Sequence, residues 1–195
     1  MTDPAGPLDL IATVAAALDE LGIPHVLGGS MASSLIGEPR STLDIDIAVS
    51  IEPNVVEEVL TRMAIDFYVP TESARRAIAE HSSFNLLDRN GALKVDLFVL
   101  GDGILDRQQL ARRQWVVPEG RDEGLWVTSP EDQILRKLDW FRAGDRVSDH
   151  QWRDILGILR VQAGHLDLDY LVATATTVGL DSDLATAMRA ADGPT

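Results

Sequence analysis

The sequence contains no cysteine. Disulfide bonds, thiolate metal sites and cysteine nucleophiles are therefore excluded, which leaves carboxylates and the four histidines as candidate metal ligands. The histidines do not show the spacing of a metal site. Any metal-dependent chemistry is thus expected to use a hard, oxygen-ligated cation such as Mg²⁺.

Long apolar runs and an N-terminal leader are also missing. No stretch approaches the length of a membrane-spanning helix. The segment Met1-Thr2-Asp3-Pro4 lacks the positive flank and apolar region of a secretory signal. We therefore expect a cytoplasmic protein with no membrane partner.

Basic residues are few. Lys and Arg number 17 against 31 Asp and Glu, so the formal net charge is −14. Proteins that coat nucleic acid need clustered positive charge, and this balance argues against that class. A nucleic-acid substrate stays open if the arginines, such as Arg75-Arg76 and Arg112-Arg113, gather on one face.

What is present is apolar material for one soluble domain with a sizeable core, since 45% of 195 residues are hydrophobic. Strands are predicted over 25–27, 43–49, 84–87 and 93–99, the last two joined by an Asn90-Gly91 hairpin turn. From Ser129 onward the pattern is helix after helix. We predict an α+β fold: a small mixed sheet flanked by helices over residues 1–127, and a helical C-terminal part over residues 128–195.

Acidic residues interrupt two of these apolar strands. Asp44 and Asp46 lie two positions apart, so their side chains project from the same face, about 7 Å from each other along the strand. Asp96 shares a face with Lys94 and Phe98 on a later strand. If the two strands are neighbours, three carboxylates converge, and a bound cation is the simplest way to offset their repulsion. The alternative is an exposed edge strand with ordinary alternation.

A glycine-rich turn precedes these strands. Gly28-Gly29-Ser30 lies between a predicted strand and a predicted helix, where backbone N–H groups and the helix dipole favour an anion such as phosphate. Taken alone, Gly-Gly-Ser is equally typical of an ordinary tight turn.

Together these segments resemble a known superfamily. Gly29-Ser30, thirteen intervening residues, Asp44-Ile45-Asp46 and the later Val95-Asp96-Leu97 resemble the motifs of DNA polymerase β-like nucleotidyltransferases. The resemblance implies that Gly28, Gly29 and Ser30 bind a nucleoside triphosphate such as ATP. It further implies that Asp44, Asp46 and Asp96 ligate two Mg²⁺ ions, or Mn²⁺ in their place. The segment from Arg40 to Asp46 resembles small bacterial members of the superfamily, which adds Arg40 to the nucleotide-binding residues.

The helical part extends this resemblance. The segments 129–138 and 149–156 resemble later motifs of the AbiEii/MenT-type group of nucleotidyltransferase toxins. This implies that Lys137 binds the triphosphate and that Asp154 is an acidic active-site residue, although Asp149 competes for that role. The alternative for Lys137 is a surface lysine on a solvated helix.

The resemblance implies an enzyme that moves a nucleoside monophosphate from a triphosphate to an acceptor hydroxyl. If the toxin group is the right one, the acceptor is tRNA and a cognate antitoxin is the protein partner. A small-molecule acceptor of the aminoglycoside type is the alternative, because an acidic cleft suits a polycation. A third alternative is an inert binding protein with the same fold.

Overall fold

The computed structural model describes residues 6–89 and 93–193. The predicted Asn90-Gly91 turn, Met1-Thr2-Asp3-Pro4 and the last two residues of the predicted helical part therefore lie outside the described residues. Within them the strands are β1 (His25–Leu27), β2 (Ile45–Val49), β3 (Phe67–Tyr68), β4 (Ser83–Asp88), β5 (Lys94–Val99), β6 (Gln114–Val116) and β7 (Leu125–Val127).

Helices surround these strands and make up most of the C-terminal third. They are α1 (Pro7–Glu20), α2 (Gly29–Ile36), α3 (Val56–Asp66, preceded by a 3-10 turn at Pro53–Val55), α4 (Thr71–Ala79), α5 (Ile104–Ala111), α6 (Pro130–Ala143), α7 (Asp149–Val161), α8 (Leu168–Val178) and α9 (Asp181–Ala191). None of these helices has both the length and the apolar character needed to cross a membrane.

The strands form one seven-stranded sheet in the order β3-β4-β5-β2-β1-β7-β6. The pairs β2–β5 and β1–β7 are parallel, and the other neighbours are antiparallel. The predicted α+β class with a mixed sheet is confirmed. The two strands that carry the acidic residues, β2 and β5, are direct neighbours near the middle of the sheet.

Alternation along β2 and β5 explains why these strands form and which face they bury. Ile45 and Ile47 on β2 and Val95 and Leu97 on β5 are each at most 1% exposed. The intervening acidic positions are only partly buried, as expected for a strand with one apolar and one polar face. The apolar face therefore fixes the register, and the register fixes where the carboxylates lie.

Helix α6 joins the C-terminal helices to the sheet. Its N-terminus is capped by Ser129, whose Oγ accepts a hydrogen bond from the Asp132 N–H at 3.1 Å, and Pro130 fits the first turn. Ile134, Leu135 and Leu138 are fully buried. The helix packs against α7, α8 and α9 on one side and against α2 and α5 on the other, and so links the C-terminal helices to the helices beside the sheet.

One boundary differs from the prediction at a position that matters. The alternation suggested a strand over 43–49, but β2 begins at Ile45, and Asp44 lies in the exposed segment just before it. The Asp44 N–H points back to the Thr42 Oγ1 at 3.3 Å, a local turn contact in place of a sheet hydrogen bond. Asp44 thus stands at the strand entrance, one residue outside the sheet.

Candidate active site

Two carboxylates face each other across the parallel strand pair. Asp46 on β2 is directly opposite Asp96 on β5 in the strand register. Asp44 precedes the same strand by one residue, and its charge still acts on Asp46. The structure therefore sets Asp46 and Asp96 opposite each other, with Asp44 just outside the sheet.

The electrostatics of Asp46 reflect this crowding. Burial raises the pKa of the Asp46 carboxyl above its usual value, and the negative charges of Asp96 and Asp44 raise it further. The positive charges of Lys137 and Lys94 act in the opposite direction but do not cancel the shift. The surroundings of Asp46 therefore disfavour its carboxylate form, despite these two cations.

The carboxylate of Asp96 is held on one side only. Its Oδ2 accepts a hydrogen bond from the Lys94 ammonium at 2.8 Å. Its Oδ1 is buried and meets no hydrogen-bond donor within residues 6–89 and 93–193. A buried carboxylate oxygen without a donor is costly, and a cation at this position would satisfy it.

Oxygen donors of this kind fit Mg²⁺ or Mn²⁺ in chemical type. In the described parts of the chain, however, no three acidic or histidine side chains are already arranged as a metal-binding group. Asp44 stands outside the sheet, and Lys94 occupies one oxygen of Asp96. The assignment of Asp44, Asp46 and Asp96 as metal ligands stays a prediction.

Gly28 and Gly29 both lie directly against Asp46 of β2. The Gly28 N–H donates a hydrogen bond to the Asp46 backbone carbonyl at 2.9 Å. Gly29 begins α2 with φ of +58°, and a Cβ built there would lie 1.8 Å from Asp46 Oδ2. Only glycine both adopts this backbone conformation easily and leaves room for the carboxylate. The N-terminal N–H groups of α2, which have no acceptor inside the helix, therefore open beside Asp46.

This contact gives a prediction with a matched control. Gly29→Ala must either displace Asp46 or distort the start of α2, so we expect a loss of several kcal/mol in unfolding free energy and loss of any activity that depends on Asp46. Gly22 has a similar φ of +64°, but a Cβ placed there would meet nothing within 4 Å, so Gly22→Ala isolates the backbone strain at about 1 to 2 kcal/mol. Urea unfolding of both variants measures the difference. Equal losses would show that the contact with Asp46 has no energetic weight.

A chain of polar contacts links the start of α2 to the C-terminal helices. Arg40 Nη2 donates to Ser30 Oγ at 2.5 Å, and Arg40 Nε donates to Asp154 Oδ1 at 2.8 Å. Asp154 Oδ2 in turn accepts a hydrogen bond from Lys137 Nζ at 2.6 Å. Four of the residues singled out from the sequence therefore form one connected network, although Asp154 is 114 positions from Arg40.

Lys137 is a buried residue and not a surface lysine, because it is only 1% exposed. Burial lowers the pKa of its ammonium, and the hydrogen bond to Asp154 partly opposes that shift. The same burial alone would raise the pKa of Asp154, but the hydrogen bonds from Arg40 and Lys137 hold it below its usual value. Asp149 is exposed at the first turn of α7, so the structure places Asp154, and not Asp149, in the network.

The Lys137 ammonium donates to Asp154, and the residue is 1% exposed, so contact with a phosphate requires its surroundings to open. In the observed arrangement Lys137 instead fixes the carboxylate that orients Arg40, and Arg40 is the cation that stands next to Ser30. The triphosphate role of Lys137 stays a prediction.

A cleft of about 360 Å³ opens beside Asp46 on the same side of the sheet. Helices α5 and α6 form its other wall. Gly28 and Gly29 also line it, so the cleft is continuous with the start of α2. Its remaining lining includes Ala48, His81, Ser82, Ser83, Phe98, Asp106, Gln109, Gln133, Arg136 and Trp140.

Several of these residues were missed in the sequence. Gln133 donates hydrogen bonds from Nε2 to the Gly29 carbonyl at 2.6 Å and to Ser33 Oγ at 2.9 Å, and so fixes α6 to the start of α2. Its position four residues before Lys137, on the same helix face, was the available signal. The cleft wall formed by Phe98 and Trp140, whose ring centroids are 6.0 Å apart, had no signal, because it depends on how α6 packs on the sheet.

Comparison with known proteins identifies the fold. No family model matches the sequence, and no curated protein matches it. Among solved structures, an antigenic nucleotidyltransferase-like protein from Paracoccidioides brasiliensis is similar, with a TM-score of 0.56 at 19% identity, covering 94% of this chain and 92% of that one. The antibiotic-resistance factor ANT(2'')-Ia gives 0.55 at 17% identity, covering 91% and 95%.

A third similar structure is the lincosamide antibiotic adenylyltransferase LnuA in its lincomycin-bound form, with a TM-score of 0.50 at 13% identity. It covers 80% of this chain and 96% of that one. The chain therefore has the fold of nucleotidyltransferase-like proteins along most of its length. The superfamily resemblance read from the sequence is supported at the level of fold, and its narrower toxin group stays a prediction.

Proposed function

We propose that this chain transfers a nucleoside monophosphate from a nucleoside triphosphate to a hydroxyl group of a small acceptor molecule, with the help of divalent metal ions. One observation carries the proposal: the register of β2 and β5 sets Asp46 opposite Asp96, immediately beside the glycine-lined start of α2. Carboxylates next to a ready-made anion site are the arrangement that metal-assisted phosphoryl chemistry requires.

The residues divide into those that hold charge and those that hold the substrate. Asp46 and Asp96, with Asp44 at the strand entrance, would hold the metal, which when bound neutralises charge on the reacting phosphates. Gly29 and Ser30 would bind the triphosphate through the N-terminal N–H groups of α2, next to Gly28, whose own N–H is bonded to the Asp46 carbonyl. Arg40 adds positive charge at Ser30, and Asp154 with Lys137 keeps Arg40 there.

In the reaction a bond forms between the acceptor oxygen and the α-phosphorus, and the bond from that phosphorus to the bridging oxygen breaks. Pyrophosphate leaves, and the hydroxyl proton passes to a carboxylate. Asp96, opposite Asp46 in the strand register, is the carboxylate proposed for this role. Carboxylate, glycine turn and cleft lie together, so acceptor and triphosphate can meet at Asp46.

The cleft and the charge favour a small acceptor. A volume of about 360 Å³ falls within the range of small-molecule sites. The net charge of −14 favours a cationic ligand and disfavours a polyanion. The similar protein ANT(2'')-Ia has also been solved in complex with adenylyl-2''-tobramycin, at a TM-score of 0.50 and 17% identity, which makes such antibiotics sensible first acceptors to test. The tRNA acceptor and the antitoxin partner implied by the toxin resemblance remain predictions.

The direct test offers all four α-labelled triphosphates with Mg²⁺ to three reactions: a panel of aminoglycosides and lincosamides, total tRNA, and no acceptor. We expect the label to move to a small molecule, detected by mass spectrometry as an added nucleoside monophosphate. Label in tRNA would overturn the small-acceptor part of the proposal and retain the transfer.

An inert binding protein is separated by a second measurement. Calorimetry with a non-hydrolysable triphosphate should show binding that requires Mg²⁺. If no acceptor is labelled and the triphosphate does not bind, the proposed function is wrong.

A further inference from the structure

The chain has just two lysines, Lys94 and Lys137, and the structure pairs both with carboxylates of the candidate site. Lys137 is buried against Asp154 and is part of the network around Arg40. Lys94 differs in that its side chain is 47% exposed while its ammonium contacts Asp96, whose side chain is 18% exposed. A half-exposed ammonium therefore caps a carboxylate that faces the site.

Lys94 lies beside the acidic residues of the candidate site. Its side chain shares a strand face with Asp96, two residues away, and Asp96 lies opposite Asp46. The charges of Asp44 and Asp46 act on the Lys94 ammonium together with that of Asp96. This cation thus contacts Asp96 and lies within electrostatic range of Asp44 and Asp46.

A divalent ion at Asp96 Oδ1 and this ammonium at Oδ2 would compete for the negative charge of one carboxylate. Mg²⁺ and Mn²⁺ bind carboxylates through oxygen lone pairs, and Asp96 Oδ2 already accepts the Lys94 hydrogen bond at 2.8 Å. The lysine stem is long and the side chain is 47% exposed, so the ammonium can move into water without disturbing β5.

We propose that Lys94 is a displaceable internal counter-ion, which neutralises the acidic cluster in the metal-free protein and leaves Asp96 when a divalent ion binds. The inference rests on the proposed function, because it takes Asp44, Asp46 and Asp96 as the metal-binding residues. It adds a role for a residue outside that set. Lys94 weakens metal binding to the free protein, because an ion must displace the ammonium before Asp96 can ligate it fully.

The first test titrates MnCl₂ alone into the full chain and follows free Mn²⁺ by electron paramagnetic resonance. Lys94→Met removes the charge and keeps the length of the stem, and we expect it to bind Mn²⁺ about tenfold more tightly than the wild type, the effect of one unit charge a few ångström from a divalent ion. Lys94→Arg keeps the charge and should bind within about twofold of the wild type. Arg76→Met, at an exposed position on α4, controls for the change in net charge and should bind like the wild type.

The second test uses the wild-type protein, so it does not depend on how a variant folds. An amine-acetylating reagent is added with and without Mg²⁺, and modification of each lysine is measured by mass spectrometry. We expect Mg²⁺ to speed acetylation of Lys94, because the ammonium is freed from Asp96, and to leave buried Lys137 unchanged as an internal reference.

The outcomes separate the counter-ion role from the metal site. If the wild type binds Mn²⁺ and Lys94→Met binds it no more tightly, the counter-ion role is overturned and the metal site is retained. The same conclusion follows if Mg²⁺ leaves the acetylation of Lys94 unchanged. Mn²⁺ binding that is absent in the wild type, in Lys94→Met and in Asp46→Asn alike overturns the metal site and the counter-ion role together.

Discussion

Replacing Asp46 with asparagine is expected to lower nucleotidyl transfer at least about 1,000-fold while leaving the protein as stable as before or more stable. Several kcal/mol of charge stabilisation in the transition state depend on this carboxylate in the proposed site. The raised pKa of Asp46 shows that its ionised form is disfavoured in the folded protein. The variant therefore removes a group that activity needs and folding does not.

The sign of the stability change follows from linkage. A carboxyl whose folded-state pKa lies above its ordinary value of 3.8 destabilises the fold once pH rises through the folded pKa. Asp46→Asn should thus gain most at neutral pH, measured by thermal unfolding in the presence of a chelator, and lose that gain in acid below about pH 4. Asp169→Asn, at an exposed position on α8, is the matched control and should change neither activity nor stability. Substantial transfer by a folded Asp46→Asn protein would end the assignment.

Loss of Asp154 is expected to damage the fold itself. Asp154→Ala leaves the Lys137 ammonium buried without its partner, and breaking such a pair from one side costs about 3 to 5 kcal/mol. Arg40 also loses the carboxylate that holds it at Ser30, so activity should fall in whatever protein still folds. Chemical unfolding of the purified variant gives the free energy directly.

Two further variants define the cause of that loss. The double variant Asp154→Ala, Lys137→Met should recover part of the stability, because no buried charge is left unpaired. Asp183→Ala removes a carboxylate bound to Arg146 at 2.7 and 2.9 Å, but Arg146 is half exposed, so only about 1 kcal/mol should be lost. If Asp154→Ala costs no more than Asp183→Ala, burial of Lys137 is not what makes this network costly to break.

Acid should weaken the same network. The pKa of Asp154 is lower in the folded protein than its ordinary value of 3.8, because Arg40 and Lys137 donate hydrogen bonds to the carboxylate. Its contribution to stability is therefore present above about pH 4 and is lost as pH falls through the folded pKa.

Local sequence pattern was sufficient to place each acidic side chain on the polar face of its strand. Strict alternation placed Asp46 on the polar face of β2 and Asp96 on that of β5, and the apolar residues between them required both strands to lie in the sheet. The superfamily resemblance supplied what alternation could not, namely that β2 and β5 are neighbours. The same resemblance predicted Gly29 as a site residue. Its close approach to the Asp46 side chain depends on the folded structure and has no signal in the sequence.

The rest of the site depends on contacts between distant parts of the chain. Sequence pattern does not show whether a helical lysine faces water or the interior. The burial of Lys137 follows from the packing of α6 on α2 and α7. The pairing of Arg40 with Asp154, and the cleft wall formed by Phe98 and Trp140, arise from helix packing, and periodicity predicts where a helix lies in the sequence but not how it is oriented.

The position of β1 has a consequence for synthesis on the ribosome. This strand lies between β2, which follows it closely, and β7, which is made about a hundred residues later. A nascent chain that has emerged only as far as β5 already carries all three aspartates, yet it lacks β7, Gln133, Lys137 and Asp154. The anion pocket at α2 then has neither its strand neighbour nor the groups that hold Arg40. Competence for catalysis should therefore appear late, after the C-terminal helices have left the exit tunnel and docked.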